Sequence, residues 1–125
     1  MFAAAIPESV RRLIAESIDS IAELEALLLL REHPRAWTVE EVGARIYVSL
    51  PVATYTLGVL TARGFLVRQD GTYRYAPANS ALEQAVAGLA AAYSSSLIAV
   101  THLVHGKPTP SIQAFANAFR MRKDP

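Results

Sequence analysis

Two groups of side chains are of residue types that bind metal ions or act as nucleophiles in enzymes. His102 and His105 lie three residues apart, which would put both imidazoles on one face of a helix, as a metal site requires. Three consecutive serines at positions 94–96 are candidate nucleophiles. Neither group has the partners that its chemistry needs, because the chain has no cysteine, no carboxylate motif beside the histidines, and no base or nucleophile-elbow glycines beside the serines. We therefore expect no catalytic residue, no metal site, no cofactor and no enzymatic activity.

A third group of side chains indicates phosphate binding. Four arginines lie within thirty residues that contain one acid, Asp70: Arg45, Arg63, Arg68 and Arg74. Residues 1–41 carry eight acids and four bases, a net charge of −4, whereas residues 42–125 carry eight bases and three acids, a net charge of +5. This uneven distribution of charge predicts that residues 42–125 face an anion. The alternative is that these are ordinary surface arginines that stack on the tyrosines at positions 73 and 75.

The composition predicts a single domain spanning residues 1–125. Of the 125 residues, 52% are apolar and 18% charged, so the chain has enough apolar surface to exclude intrinsic disorder. The absence of cysteine excludes a disulfide scaffold. The N-terminus lacks the basic start of a secretory leader, and we expect a cytoplasmic protein.

Residues 84–106 form a stretch of twenty-three residues without a formal charge, which is long enough to cross a bilayer. The stretch also contains three serines, a threonine and two histidines, which hydrocarbon tolerates poorly. We therefore expect a soluble helix buried in a core or a dimer seam, without stable membrane insertion. Membrane contact is the alternative interpretation.

The periodicity of the apolar residues predicts helices around one short hairpin. From Ser9 an apolar stripe predicts one long helix, or two abutting helices, ending near Pro34. Thr38 and Glu41 then form a capping box that begins a short helix through Ile46.

The next predicted helix spans residues 49–63, with Ser49 or Leu50 as its cap and Gly64 at its end. A helical wheel places four of its residues toward the core: Ala53, Thr56, Leu57 and Leu60. The opposite face carries Pro51, Tyr55, Gly58 and Ala62.

Asp70 and Gly71 predict a two-residue turn that joins strands at residues 65–68 and 72–75. A long helix is then expected from Ser80 to His105. After a break at residues 106–110, a final amphipathic helix is expected to place four residues on one side and to end in three cations: Ile112, Phe115, Ala116 and Phe119, then Arg120, Arg122 and Lys123.

From about residue 21 to residue 77, this order of elements resembles a winged helix-turn-helix domain of the MarR-like and PadR-like bacterial regulators. The resemblance is carried by residues 38–46 as the supporting helix, residues 49–63 as the recognition helix, and residues 64–68 as the start of the wing. It implies a mainly helical fold with a small β-hairpin, in which the recognition helix enters the major groove and the wing contacts the DNA backbone or minor groove. The segment 115–124 is also similar to small uncharacterised bacterial winged-helix proteins.

The resemblance implies a transcriptional regulator that binds duplex DNA as a homodimer. The expected DNA-binding residues are Ser49, Val52, Thr54, Tyr55, Arg63, Arg68 and Arg74. Thr54 and Tyr55 would enter the major groove, and the wing arginines would hold phosphates. The recognition helix is poor in side chains that form directed hydrogen bonds with bases. A winged-helix module for protein recognition, without a DNA role, is therefore the alternative.

Residues 78–125 are expected to form a helical extension for dimerisation. The expected seam residues are Leu89, Tyr93, Leu97, Val100 and Val104. A compact monomer, in which the terminal helices cover each other, is the alternative. The region between the long helix and the winged core is a candidate pocket for a small apolar effector, whose identity the sequence does not give.

Overall fold

The structure is a computed structural model that describes residues 6–106. In this range the chain forms six helices and one two-stranded antiparallel sheet: α1 (Glu8–Ser17), α2 (Ile21–Glu32), α3 (Val39–Ile46), α4 (Leu50–Ala62), β1 (Leu66–Gln69), β2 (Thr72–Tyr75), α5 (Ser80–Ser95) and α6 (Leu97–His105). The predicted class, mainly helical with a small β-hairpin, is confirmed.

The N-terminal stripe forms two helices rather than one. The chain leaves the helical conformation at Ile18, whose side chain is fully buried, and Ser20 caps α2 by accepting a hydrogen bond from the Glu23 amide at 3.1 Å. α1 packs against α5 and α6, and α2 packs against α3 and α4. The break therefore lets one apolar stripe cover two different parts of the core.

The α3–α4 pair forms as the sequence predicts. Thr38 and Glu41 make the reciprocal capping box of α3, and Ser49 caps α4. Gly43 lies where the two helices meet, and a Cβ there would be 3.2 Å from the Val48 carbonyl oxygen. The short connection holds Tyr47 in a left-handed conformation, with φ 60° and ψ 47°.

The hairpin also forms at the predicted turn. Asp70 and Gly71 both have positive φ, 53° and 76°, as a two-residue turn of the primed type requires. Trp37 adds a third short extended piece, because its amide and carbonyl exchange two 2.8 Å hydrogen bonds with Tyr73. The Trp37 side chain is buried and donates from Nε1 to the His33 carbonyl at 3.0 Å.

The predicted long helix from Ser80 to His105 is wrong, because the chain bends by 116° between α5 and α6. Ser96 leaves the helical conformation at φ −143° and ψ 53°, and the Ser95 hydroxyl donates to the Ala91 carbonyl at 3.0 Å. Serine side chains compete in this way with the helical backbone. The bend returns α6 to α1 and α2, so that its apolar residues enter the core.

The bend also corrects the predicted dimer seam. Leu89, Val100 and Val104 are at most 1% exposed and belong to the core of the single chain, so a partner cannot reach them in this conformation. Tyr93 is half-buried, and Leu97 is 51% exposed. Of the five predicted seam residues, these two remain at the surface.

None of the helices in the range 6–106 is by itself long and apolar enough to span a membrane, although α5 and α6 together pass that test by length and composition. The predicted final helix, with Phe115, Phe119 and its three terminal cations, lies outside the described residues.

Candidate nucleic-acid interface

The site is built on α4, which α2, α3 and β1 hold in place. The four residues predicted to face the core are all buried: Ala53, Thr56, Leu57 and Leu60. The predicted outer residues Pro51, Tyr55, Gly58 and Ala62 are exposed. The orientation of α4 therefore agrees with the helical wheel of the sequence.

The outer surface of α4 and the turn before it is uncharged and largely apolar. Tyr47 is 93% exposed, Leu50 50%, Val52 44% and Tyr55 64%. No charged residue occurs between Tyr47 and Ala62 in the sequence. We call the surface formed by these four residues, Thr54 and Gly58 the α4 face.

The hydroxyl groups at and beside the α4 face differ in how far they are engaged within the chain. Thr54 donates from Oγ1 to the Leu50 carbonyl at 2.9 Å, and Ser49 Oγ accepts from the Val52 amide at 3.3 Å, which leaves the Ser49 proton free. The hydroxyls of Tyr47 and Tyr55 have no hydrogen-bond partner within residues 6–106. The free donors in this region are therefore the Ser49 hydroxyl and the two tyrosine hydroxyls.

Three arginines on α3 and the hairpin have no carboxylate partner in the described part of the chain. Arg45 lies in the last turn of α3, and Arg68 and Arg74 lie on the hairpin. The Arg45 guanidinium lies 5.3 Å from the Trp37 ring centroid, and that of Arg68 lies 5.8 Å from the Tyr73 ring centroid. All three residues are exposed. Stacking of this kind orients a guanidinium group without neutralising its charge.

The side chains of Arg68 and Arg74 lie on opposite faces of the hairpin. The strand register places Arg68 opposite Tyr73 and Arg74 opposite Val67. Because successive residues of a strand point to opposite faces, the two guanidinium groups leave the hairpin on different sides. Arg68 shares a side with the buried Tyr73, and Arg74 lies on the outer side.

Arg63, predicted to bind DNA, has a different role in the structure. Its Nη1 donates to the Ser17 carbonyl at 2.6 Å and to Glu23 Oε1 at 2.9 Å, and its Nη2 donates to Asp19 Oδ2 at 2.8 Å. The Glu23 side chain is only 5% exposed. Arg63 therefore neutralises two carboxylates at the α1–α2 turn and is not free to bind phosphate. Nothing local in the sequence pairs it with acids forty and forty-four residues away.

The hairpin is fixed to the helical body by a cluster that sequence reasoning missed. Tyr75 donates to Glu83 Oε1 at 2.5 Å, and Arg31 Nη2 donates to Glu83 Oε2 at 3.1 Å, which joins β2, α5 and α2. The Tyr75 hydrogen bond is the main cause that lowers the pKa of Glu83, with Arg31 adding to it. Burial, and then the hydrogen bond to Glu83, raises the pKa of Tyr75. This cluster positions the arginines of the hairpin.

A cavity of about 580 Å³ lies between α2, the end of α3 and α5. Its walls include Leu28, Leu29, Ile46 and the Tyr93 ring, with Arg45 at its edge. Burial, and then the nearby charge of Glu25, raises the pKa of Tyr93. The cavity lies in the region where the sequence suggested a pocket for a small molecule.

The described residues contain no group of three or more side chains that could hold a metal ion. His102 and His105 are both exposed on α6.

Comparison with known proteins finds no matching family model and no matching curated protein.

Proposed function

We propose that this protein is a winged-helix regulator that binds duplex DNA, with α4 in the major groove and the hairpin against the phosphate backbone. The observation that carries the proposal is the α4 face, which is free of acids, together with three exposed arginines on α3 and the hairpin that have no carboxylate partner among residues 6–106: Arg45, Arg68 and Arg74. The order of α2, α3, α4 and the hairpin supports it, because this order resembles a winged helix-turn-helix domain.

The dimensions of α4 suit a major groove. Thirteen residues give a helix about 20 Å long. The groove of B-DNA is about 12 Å wide and admits a helix with its side chains. α4 presents only small or uncharged side chains on its outer face, so no carboxylate would repel the phosphates beside the groove.

The charges available for phosphate contacts are fewer than the sequence suggested. Arg63 is neutralised by Asp19 and Glu23, which leaves the three arginines on α3 and the hairpin of each chain. A homodimer would double their number. We retain the homodimer as part of the proposal, and the adjacent exposed residues Leu97 and Ile98 offer an apolar contact for it.

The proposal is tested by fluorescence anisotropy with a labelled duplex of about two helical turns, titrated at about 50 and about 200 mM NaCl. We expect log K to fall with log salt with a slope of about −3 for one chain, or about twice that for a dimer. The triple variant Arg45→Ala/Arg68→Ala/Arg74→Ala should lose most of the affinity and of the slope. Arg12→Ala, which removes an exposed arginine on α1, is the matched control and should bind like the wild type. Absence of binding, or equal binding by the triple variant, would contradict the proposal.

A second candidate function is recognition of a protein partner. It is favoured by the exposure of Tyr47, Leu50, Val52 and Tyr55, since aromatic and aliphatic side chains are typical of the centre of a protein interface. The test is affinity capture with the wild type and with Tyr47→Ser/Tyr55→Ser as matched baits. A protein that is captured only by the wild type, together with no duplex binding, would favour this function over DNA binding.

A further inference from the structure

The hydrogen-bonding capacity of the α4 face limits how it can distinguish one base pair from another. Direct recognition in the major groove depends on donors and acceptors that match the edges of the bases. The Thr54 hydroxyl donates to the Leu50 carbonyl, whereas Ser49 accepts from the Val52 amide and keeps its own proton. The hydroxyls of Ser49, Tyr47 and Tyr55 can each form a single hydrogen bond with a base, but not the bidentate contact that identifies adenine or guanine. Thr61, further along α4, donates to the Leu57 carbonyl at 2.7 Å. The amides and charged groups that usually bond to adenine and guanine do not occur on α4.

The face offers apolar surface instead. Leu50, Val52 and the Tyr55 ring project from its first two turns, and Thr54 adds a methyl group beside its bonded hydroxyl. In the major groove the apolar group that distinguishes a base pair is the 5-methyl group of thymine. Burial of a methyl group against an aliphatic or aromatic side chain is favourable and needs no hydrogen-bond partner.

Gly58 lets this apolar surface come close to the bases. It lies one turn after Tyr55 on the outer side of α4, and a Cβ at this position would meet nothing within 4 Å among residues 6–106. Packing within that range therefore gives no reason for glycine here, although glycine lowers helix stability. The missing side chain leaves room for a base edge or sugar beside the helix backbone.

We infer that the α4 face recognises thymine by contact with its 5-methyl group, and so selects duplexes that present thymines in the major groove. This inference rests on the proposed DNA binding and adds the chemical group that gives selectivity. Arg45, Arg68 and Arg74 supply the phosphate contacts, which carry no base selectivity, and the apolar side chains supply the preference.

The test uses four duplexes of equal length: alternating A·T, the same duplex with deoxyuridine in place of thymidine, alternating G·C, and the same G·C duplex with 5-methylcytosine. Each pair differs in the major groove by one methyl group per base pair and keeps the minor-groove pattern. We expect the thymidine duplex to bind more tightly than the deoxyuridine duplex, by about fourfold for each methyl group that the face buries. The 5-methylcytosine duplex should bind more tightly than unmodified G·C.

Val52→Ser removes two methyl groups from the α4 face and should reduce the preference for thymidine over deoxyuridine. Ala81→Ser introduces a serine at an exposed position on α5, away from the α4 face, and should leave the preference unchanged. If the thymidine and deoxyuridine duplexes bind equally while binding stays salt-dependent, methyl recognition is overturned and DNA binding stands. If Val52→Ser keeps the full preference, the preference comes from DNA shape and the inference also fails. If no duplex binds at any salt concentration, both the inference and the proposed function fail.

Discussion

Two glycines near α4 differ in what surrounds them. A Cβ at Gly43 would lie 3.2 Å from the Val48 carbonyl oxygen and 3.5 Å from the Ala53 Cβ, so the crossing of α3 and α4 requires glycine there. A Cβ at Gly58 would meet nothing within 4 Å in the described part of the chain. The packing of α3 against α4 thus explains Gly43, whereas no contact among residues 6–106 explains Gly58, and close approach of a bound duplex would account for it.

We predict that Gly58→Ala raises the free energy of unfolding by about 1 kcal/mol, since alanine is the better helix former. The same variant should weaken duplex binding, because the new methyl group occupies the space of the close approach. Urea unfolding and anisotropy measure the two effects separately. Gly43→Ala is the comparison and should be destabilised. Unchanged affinity in Gly58→Ala would show that α4 is not approached at this position.

Arg63 forms ion pairs within the chain instead of binding phosphate, because its position in the fold brings it to two carboxylates. Its guanidinium contacts Asp19, Glu23 and the Ser17 carbonyl, and the Glu23 carboxylate is almost completely buried. Removing Arg63 would leave that carboxylate buried without its cation, which is more costly than losing a surface ion pair.

We predict that Arg63→Ala lowers the free energy of unfolding by about 3 kcal/mol. Arg74→Ala, which removes an exposed arginine without a carboxylate partner in the described range, should change it by less than about 0.5 kcal/mol. Chemical unfolding of the two variants beside the wild type measures the difference. If Arg63→Ala is as stable as the wild type and binds DNA less tightly, the phosphate role that the sequence suggested would be restored.

At the scale of elements, the hairpin depends on the cluster of Tyr75, Glu83 and Arg31. A two-stranded hairpin alone is marginally stable, and this one gains support from the backbone pairing of Trp37 with Tyr73 and from the hydrogen bond between Tyr75 and Glu83 on α5. The hydrogen bond from Tyr75, and then the contacts with Arg31, lower the pKa of Glu83. The folded protein therefore binds a proton at Glu83 less readily than the unfolded chain does.

The sign of the resulting pH dependence follows from linkage. The contribution of ionised Glu83 to the free energy of unfolding is fully present above the usual glutamate pKa, about 4.3. It is lost as the pH falls through the lowered pKa that Glu83 has in the folded protein. We predict that Glu83→Gln lowers the free energy of unfolding at neutral pH by about 1 kcal/mol, because the carboxylate is partly exposed. The difference from the wild type should disappear toward pH 3. Unfolding curves at several pH values test this, with Glu16→Gln, at an exposed position on α1, as the control. A difference that does not depend on pH would contradict it.

At the scale of the whole molecule, the bend at Ser96 decides which apolar residues form the core. A straight continuation of α5 would carry Val100 and Val104 away from the body, where only a partner chain could cover them. The bend instead packs α6 against α1 and α2, and both valines are buried. The apolar excess of the sequence is thus largely used within one chain.

We predict that Val104→Ala lowers the free energy of unfolding by about 2 kcal/mol, because it opens a cavity in the core. The loss should be the same at low and high protein concentration, since the residue is buried within the chain. Ile98→Ala, at the exposed side of α6, should be nearly neutral. Urea unfolding over a wide range of protein concentration tests this. A loss for Val104→Ala that grows with protein concentration would support the dimer seam predicted from the sequence.

Local sequence signals predicted most of the fold because their causes are local. The capping box at Thr38, the serine cap of α4 and the Asp70-Gly71 turn each depend on neighbouring residues, and all three occur in the structure. The buried and exposed faces of α4 follow from helical periodicity, which is also local. The bend at Ser96 was missed because periodicity alone cannot distinguish a continuous helix from two helices joined by a sharp bend.

The mainly helical class, the hairpin and the uncharged outer face of α4 could be predicted from local sequence signals, because helix periodicity, caps and turn residues act over a few positions. Which arginines stay without a carboxylate partner in the described range, and which apolar residues are covered, depends on tertiary packing. Arg63 meets Asp19 and Glu23, and Val104 reaches the core, through contacts between segments far apart in the chain. Such contacts depend on how the helices pack, and no spacing within the sequence encodes them.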